Sequence, residues 1–209
     1  FLLRRQRQMC IRDRYNNKID FWLSEKDKGM WDAWNKGFKL AKGRFVGIVD
    51  SSNKLYPNAM KILSAYITKD ESLDFVCGTV KKDGRLYGGF NPEKIIRKFD
   101  IIPSSVVGFF IKRSSLKKVG YLNLKYKIQA DYDLLYRMIV KHNLKGVHSS
   151  WKEVFGDLGN SGFSKNHSFW KSLSNEIIIR NDNGQNKFVL FYIIIARSLR
   201  KFFNSLFGL

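Results

Sequence analysis

A mixed α/β fold is predicted by three features of the chain. Short apolar runs of strand length, at 45–49 and 106–112, alternate with segments whose apolar residues recur every three or four positions. In addition, a Lys82-Asp83-Gly84 turn joins the runs 73–80 and 85–90 into a hairpin. Strands that alternate with helices and include one hairpin form a mixed sheet with helices packed on it.

The elements follow in order. The run IDFWL at 19–23 is short, apolar and β-prone, and the polar SEKDKG follows it, so a strand leading into a loop is expected. Met30, Ala33, Trp34, Gly37, Phe38 and Ala41 then recur at helical spacing, and Gly43 supplies a stop. FVGIV at 45–49 is continuously apolar, the pattern of a buried central strand. Pro57 opens a second helix at its first turn, with Met60, Leu63 and Ile67 as its buried stripe. The hairpin, the strand at 106–112 and a helix over 131–142 complete the predicted core.

The 209 residues, 44% hydrophobic and 15% aromatic, can bury the core of one globular domain, and this composition excludes a disordered chain. The opening FLLRRQRQMCIRDR reads as neither helix nor strand. Its string QMCIRDR resembles a translated sequencing adaptor, so residues 1–14 are read as a non-native tail. The body is then 15–182, followed by a basic amphipathic helix over 183–209. In that last segment an apolar run of nine residues is combined with Arg197, Arg200 and Lys201. Two readings fit it: contact with an anionic membrane surface, or packing as a terminal core helix.

A formal charge of +20 attracts phosphate-rich partners, and a solvated Lys-rich surface accounts for it equally well. No recognition motif accompanies the charge, so nucleic acid is not an expected partner. Cys10 and Cys77 stand in no CxxC or Cys/His cluster, which fits a reduced compartment. No run approaches the roughly 20 apolar residues of a membrane span, and a cytoplasmic location, extending to the inner face of the membrane, is expected. His142, His148 and His167 have no metal-ligand spacing.

Ligands of open α/β sheets bind at the carboxyl ends of strands, which points first to Asp50-Ser51-Ser52-Asn53 after FVGIV. Upstream, Gly29 lets the backbone approach a phosphate or ribose at a helix start, Lys28 adds a point charge, and Asp27 can accept from a ribose hydroxyl or a base. The bland alternative makes Asp27 a helix cap and Lys28 a solvated charge. Farther on, Asp131 and Asp133 stand in Ala130-Asp131-Tyr132-Asp133-Leu134-Leu135-Tyr136-Arg137. The bland reading of Asp131 is an N-cap, and that of Asp133 an i,i+4 pair with Arg137.

The stretch SEKDKGMWDAWNKGFKLAKGRFVGIVDSSN resembles the segment that family 2 glycosyltransferases carry between their nucleotide-binding half and their metal motif. Ser24, Glu25, Asp27, Lys28, Gly29, Asp32, Ala33, Asn35, Lys36, Gly37, Ala41 and Gly43 all match that pattern. The resemblance runs over about residues 16–180. It implies a GT-A-type, Rossmann-like mixed sheet with flanking helices, lacking the first strands of the nucleotide-binding half, as an N-terminal truncation would leave it.

The activity implied is inverting transfer of a sugar from a nucleotide diphosphate donor, UDP- or dTDP-type, to a saccharide or lipid-linked acceptor in cell-surface polysaccharide synthesis. Donor contacts fall on Asp27, Lys28, Gly29, Asn35, Asp50 and Ser51, the catalytic base on Asp131, and acceptor contacts on Tyr132 and Trp151. Mg²⁺ or Mn²⁺ is assigned to Asp50, Ser52 and Asn53. There the sequence departs from the family's acidic run, and a hydroxyl and an amide replacing carboxylates weaken a hard-cation site. The His-Gln pair that many relatives carry near Val106 and Val107 is also absent. GNSGFSKN at 159–166, with Lys165, resembles the loop that folds over the donor. A catalytically silent binding protein at the membrane surface is the alternative that these departures support.

Overall fold

The structure, a computed structural model, describes residues 14–90, 106–159 and 168–207. Two four-stranded mixed sheets lie in the order β1-β6-β3-β7 and β2-β8-β4-β5. The strands are β1 (Phe45–Gly47), β2 (Lys54–Leu55), β3 (Phe75–Cys77), β4 (Thr79–Lys82), β5 (Arg85–Tyr87), β6 (Phe109–Lys112), β7 (Gly146–His148) and β8 (Val154–Asp157). The helices are α1 (Met30–Leu40), α2 (Ala59–Lys69), α3 (Arg113–Val119), α4 (Ala130–Tyr136), α5 (Phe169–Asp182) and α6 (Lys187–Phe207). A single π turn, Arg137–Lys141, prolongs α4.

Alternation along the strands of the first sheet sorts its side chains into two layers. Phe75, Cys77, Ile111 and Val46 point into one core with Trp31 and Phe38 of α1, Leu116 of α3 and Leu134 of α4. Val76 and Phe110 point the other way, into a second core with Leu63 and Ile67 of α2 and Phe155 of β8. The sheet is thus covered on both faces, which explains why all three residues of β3 are buried.

Two stretches of chain run through both sheets. The run 75–82 is β3 and then β4, with a break at Gly78, and 146–157 supplies β7 and then β8. β3 pairs parallel with β7, and β4 parallel with β8. At the break, a Cβ on Gly78 would lie 2.3 Å from the ring of Phe155, so only glycine lets the two approach. The hairpin prediction holds: β4 and β5 pair antiparallel about Asp83 and Gly84, both at positive φ.

Three expectations are corrected. The run 19–23 forms no strand. Phe21 is 61% and Trp22 52% exposed, because a β-prone run needs a neighbouring strand and none lies beside it among the described residues. FVGIV is not a central strand either: β1 spans Phe45–Gly47 and, among the described residues, pairs only with β6 and stands at the sheet's edge. In α2, Met60 faces solvent while Ala59 takes the buried position next to Leu63 and Ile67. The tail 1–13, the segment 91–105 and residues 160–167, which include Lys165 and His167, lie outside the described residues.

Candidate active site

The DKG loop is built as a helix entry. Asp27 Oδ1 accepts from the Gly29 N–H at 2.9 Å, and Asp32, in the first turn of α1, reaches back to accept from the Lys28 N–H at 2.9 Å. Gly29 has φ +121°, which favours glycine. Lys36 Nζ pairs with Glu25 at 2.6 Å and donates to the Lys26 carbonyl, pinning the loop to the next turn of the helix. The Asp27 carboxylate is therefore engaged as a turn, while the loop stays exposed beside a cleft of about 930 Å³ lined by Asp20, Phe21, Glu25, Asp27, Lys36 and Lys42 among others. Neither Asp50 nor Asp131 lines that cleft.

Asn35 points into the fold. It is buried, its Nδ2 donates to the Leu122 carbonyl at 2.8 Å, and its Oδ1 accepts from the Leu122 N–H at 3.0 Å. Trp31 Nε1 donates to the Lys127 carbonyl at 3.0 Å. These bonds hold the 122–127 loop, which leads to Asp131, against α1. Donor contact by Asn35 is thereby corrected: both ends of its amide are consumed inside the fold.

After β1, Asp50 Oδ1 accepts from the N–H and the hydroxyl of Ser52, at 2.9 and 2.6 Å. Asn53 Oδ1 accepts from the Gly159 N–H at 3.0 Å. A Cβ on Gly159 would lie 1.9 Å from the Ser52 carbonyl oxygen, so the start of the glycine- and serine-rich loop sits directly on this turn. Ser51 is exposed at the tip. As a metal site the cluster fits poorly. It offers one carboxylate, the Ser52 hydroxyl donates to that carboxylate, and no group of three acidic, His or Cys residues gathers anywhere among the described residues.

The two acids of α4 have opposite environments. Asp133 is 1% exposed, bonded at Oδ2 by Arg137 Nε and at Oδ1 by Asn183 Nδ2, both at 2.9 Å. Arg137 also donates to the carbonyls of Val119, Gly120 and Tyr121. The i,i+4 pairing expected of Asp133 is present, and it organises the turn before the 122–127 loop. Asp131 is half-buried and has no cationic partner among the described residues. Desolvation raises its carboxyl above the usual carboxylate value, against opposing hydrogen bonds from the N–H of Tyr132, at 3.0 Å, and from its own N–H.

Tyr132 is corrected as an acceptor contact. Its hydroxyl donates to Glu176 Oε1 at 2.9 Å, and its ring, 6% exposed, lies under the Arg180 guanidinium. Glu176 also pairs with Arg180 at 3.2 Å and Arg197 at 2.8 Å, a buried knot that ties α4 to α5 and α6. Trp151, by contrast, is half-exposed in the turn after β7, its ring 5.5 Å from that of His148. His148 Nε2 is buried without a partner among the described residues, and burial holds the imidazole below its ordinary pKa.

Sequence reasoning missed Gln129. It adopts a left-handed conformation, φ +63°, two residues before Asp131, and its Oε1 is buried without a partner among the described residues. Local strain and an unsatisfied polar atom together mark functional loops. Neither is visible in residue types.

No family model matches the chain. It is similar to PGL/p-HBAD biosynthesis glycosyltransferases of Mycobacterium bovis (strain BCG / Pasteur 1173P2) and Mycobacterium tuberculosis (strain ATCC 25177 / H37Ra). Each is 28% identical over 146 residues, which cover 66% of this chain and 56% of the relative. The chain therefore spans little more than half the length of those relatives. Among solved structures, S. aureus TarS 1-349 superposes with TM-score 0.58 at 18% identity, over 83% of this chain and 51% of that one. The same protein in complex with UDP-GlcNAc gives TM-score 0.62 at 17% identity, over 90% and 59%. The chain is thus related in sequence to bacterial glycosyltransferases and carries the mixed α/β, GT-A-like fold that TarS displays.

Proposed function

We propose that this chain is the greater part of the catalytic domain of an inverting glycosyltransferase of family 2 type, acting in cell-surface glycan synthesis. The observation that carries the reading is the contrast within α4: Asp133 is engaged by Arg137 and Asn183, whereas Asp131 has no cationic partner among the described residues and a raised pKa. A carboxylate whose affinity for a proton is increased suits a general base. Asp131 removes the proton of an acceptor hydroxyl as that oxygen bonds to the anomeric carbon. The bond from that carbon to the diphosphate breaks, and the nucleotide diphosphate leaves with the electron pair.

UDP-GlcNAc bound to TarS supports a UDP- or dTDP-type donor here, with the DKG loop and the Asp50 turn as its contacts. The acceptor is a saccharide or lipid-linked hydroxyl, with Trp151 as a platform for a sugar face. If the donor diphosphate brings a Mg²⁺ or Mn²⁺ ion, Asp50 would be the carboxylate the protein offers it, and the ion would supply positive charge to the leaving diphosphate. The chain works at the cytoplasmic side of the membrane.

The test is sugar transfer by the full-length gene product, with Asp131→Asn expected to lower kcat by about 10²- to 10⁴-fold. Unchanged turnover removes Asp131 as the base. The committed oxygens of Ser52 and Asn53 favour a second reading, a catalytically silent relative. No UDP binding with or without Mn²⁺ in calorimetry of the full-length protein would select it.

A further inference from the structure

Helix α6 presents an apolar stripe to solvent along its whole length. Phe188, Phe191, Ile195, Leu199, Phe202 and Leu206 follow one another at steps of three or four residues, and Phe188 is 85% and Phe202 60% exposed. At 1.5 Å per residue the 21-residue helix is about 30 Å long. The opposite face fixes its rotation. Leu190 and Ile193 are buried, and Arg197 is held at 2.8 Å by the buried carboxylate of Glu176. The stripe cannot turn inward without breaking that pair.

Its charges are of one sign. Residues 187–207 contain no Asp or Glu, and on the helical wheel Arg200 lies beyond one edge of the stripe while Lys201 and Lys187 lie beyond the other. Among the described residues no helix is long and apolar enough to cross a membrane. A large apolar face with cations at both edges is the design of a helix that lies in a lipid interface. We propose that α6 docks the protein on an anionic membrane, its aromatic stripe sunk among the acyl chains and Lys187, Arg200 and Lys201 at the lipid phosphates. A second copy of the chain is the weaker occupant. Pairing two such helices, parallel or antiparallel, sets cations beside cations with no acid in either helix to compensate. The chain's net charge of +20 acts in the same direction as the local pattern.

The inference does not depend on sugar transfer and survives the loss of Asp131. The test is co-sedimentation of the full chain with vesicles of phosphatidylcholine alone or with about 30% phosphatidylglycerol, a fraction chosen to give an anionic surface. Binding to the anionic vesicles is expected, weakened as salt rises. Each cation at such a surface contributes roughly fivefold, so Arg200→Gln with Lys201→Gln should weaken binding about 25-fold. Leu199→Asp with Phe202→Asp should abolish it, while the circular dichroism spectrum of the variant shows that the exposed positions leave the fold intact. Equal partition to both vesicle types, or none to either, overturns the proposal. So does a dimer in light scattering that Leu199→Asp dissolves without changing vesicle binding.

Discussion

Asn35 holds both backbone polar groups of Leu122, accepting from its N–H at 3.0 Å and donating to its carbonyl at 2.8 Å. The two residues are 87 positions apart. One amide in α1 thus fixes the loop that delivers Asp131. Asn35→Ala leaves a buried N–H and C=O unpaired, and a loss of about 2–4 kcal/mol is expected from the usual cost of each orphaned group. Urea denaturation reads this directly. Nucleotide affinity, measured by calorimetry under conditions where the variant is folded, should be unchanged.

Asp131 carries a stability cost that its replacement should reveal. Its carboxyl binds a proton more tightly in the folded chain than in the unfolded one, where the ordinary value is near 3.8. Stability from this group is therefore greatest at acid pH and is lost as pH rises from about 4 through the raised folded value. Asp131→Asn should melt at a higher temperature than the parent at pH 7.5 and at a similar one near pH 3.5. A melting temperature at pH 7.5 equal to or below the parent's would show that the carboxylate is compensated.

Glu176 is 1% exposed and faces both Arg180 and Arg197. Burial pushes its pKa up and the two guanidinium groups pull it down, with burial the larger effect. Removing the carboxyl group takes the buried anion away from two guanidinium groups, so Glu176→Ala should cost about 3–5 kcal/mol. Glu176→Gln, which keeps an acceptor for Tyr132, should cost less. Denaturant midpoints of the two variants separate the charge from the hydrogen bonds.

Gly159→Ala would bring a methyl group within 1.9 Å of the Ser52 carbonyl oxygen. Backbone cannot yield as a flexible side chain does, so the Asp50 turn must shift. A loss of about 1–3 kcal/mol is expected, as for other overpacked sites. On the proposed reading, affinity for a UDP-sugar falls as well, which calorimetry on the full-length protein would measure.

What the sequence revealed was what neighbours in sequence decide. The three- and four-residue spacing from Met30 to Ala41 gave α1, and Asp83-Gly84 gave the hairpin, because both depend on local geometry. The β-prone run at 19–23 was misread because a strand exists only where another strand accepts its hydrogen bonds. Asn35 and Tyr132 were misassigned for a related reason: their partners, Leu122 and Glu176, are 87 and 44 residues away. One local signal for the second was present. Glu176 and Arg180 stand four apart in α5, and their charges are buried. The separation of Asp131 from Asp133, by contrast, followed from Arg137 lying four residues after the second acid.

The passage of 75–82 and 146–157 through both sheets, with Gly78 against the Phe155 ring, has a further consequence for how the molecule comes apart. Neither sheet can lose its strands without pulling on two segments that belong equally to the other. Melting of the Asp50 side and of the Asp131 side should then be one cooperative event rather than two. Amide hydrogens of β3 and β8 would exchange with the same opening free energy.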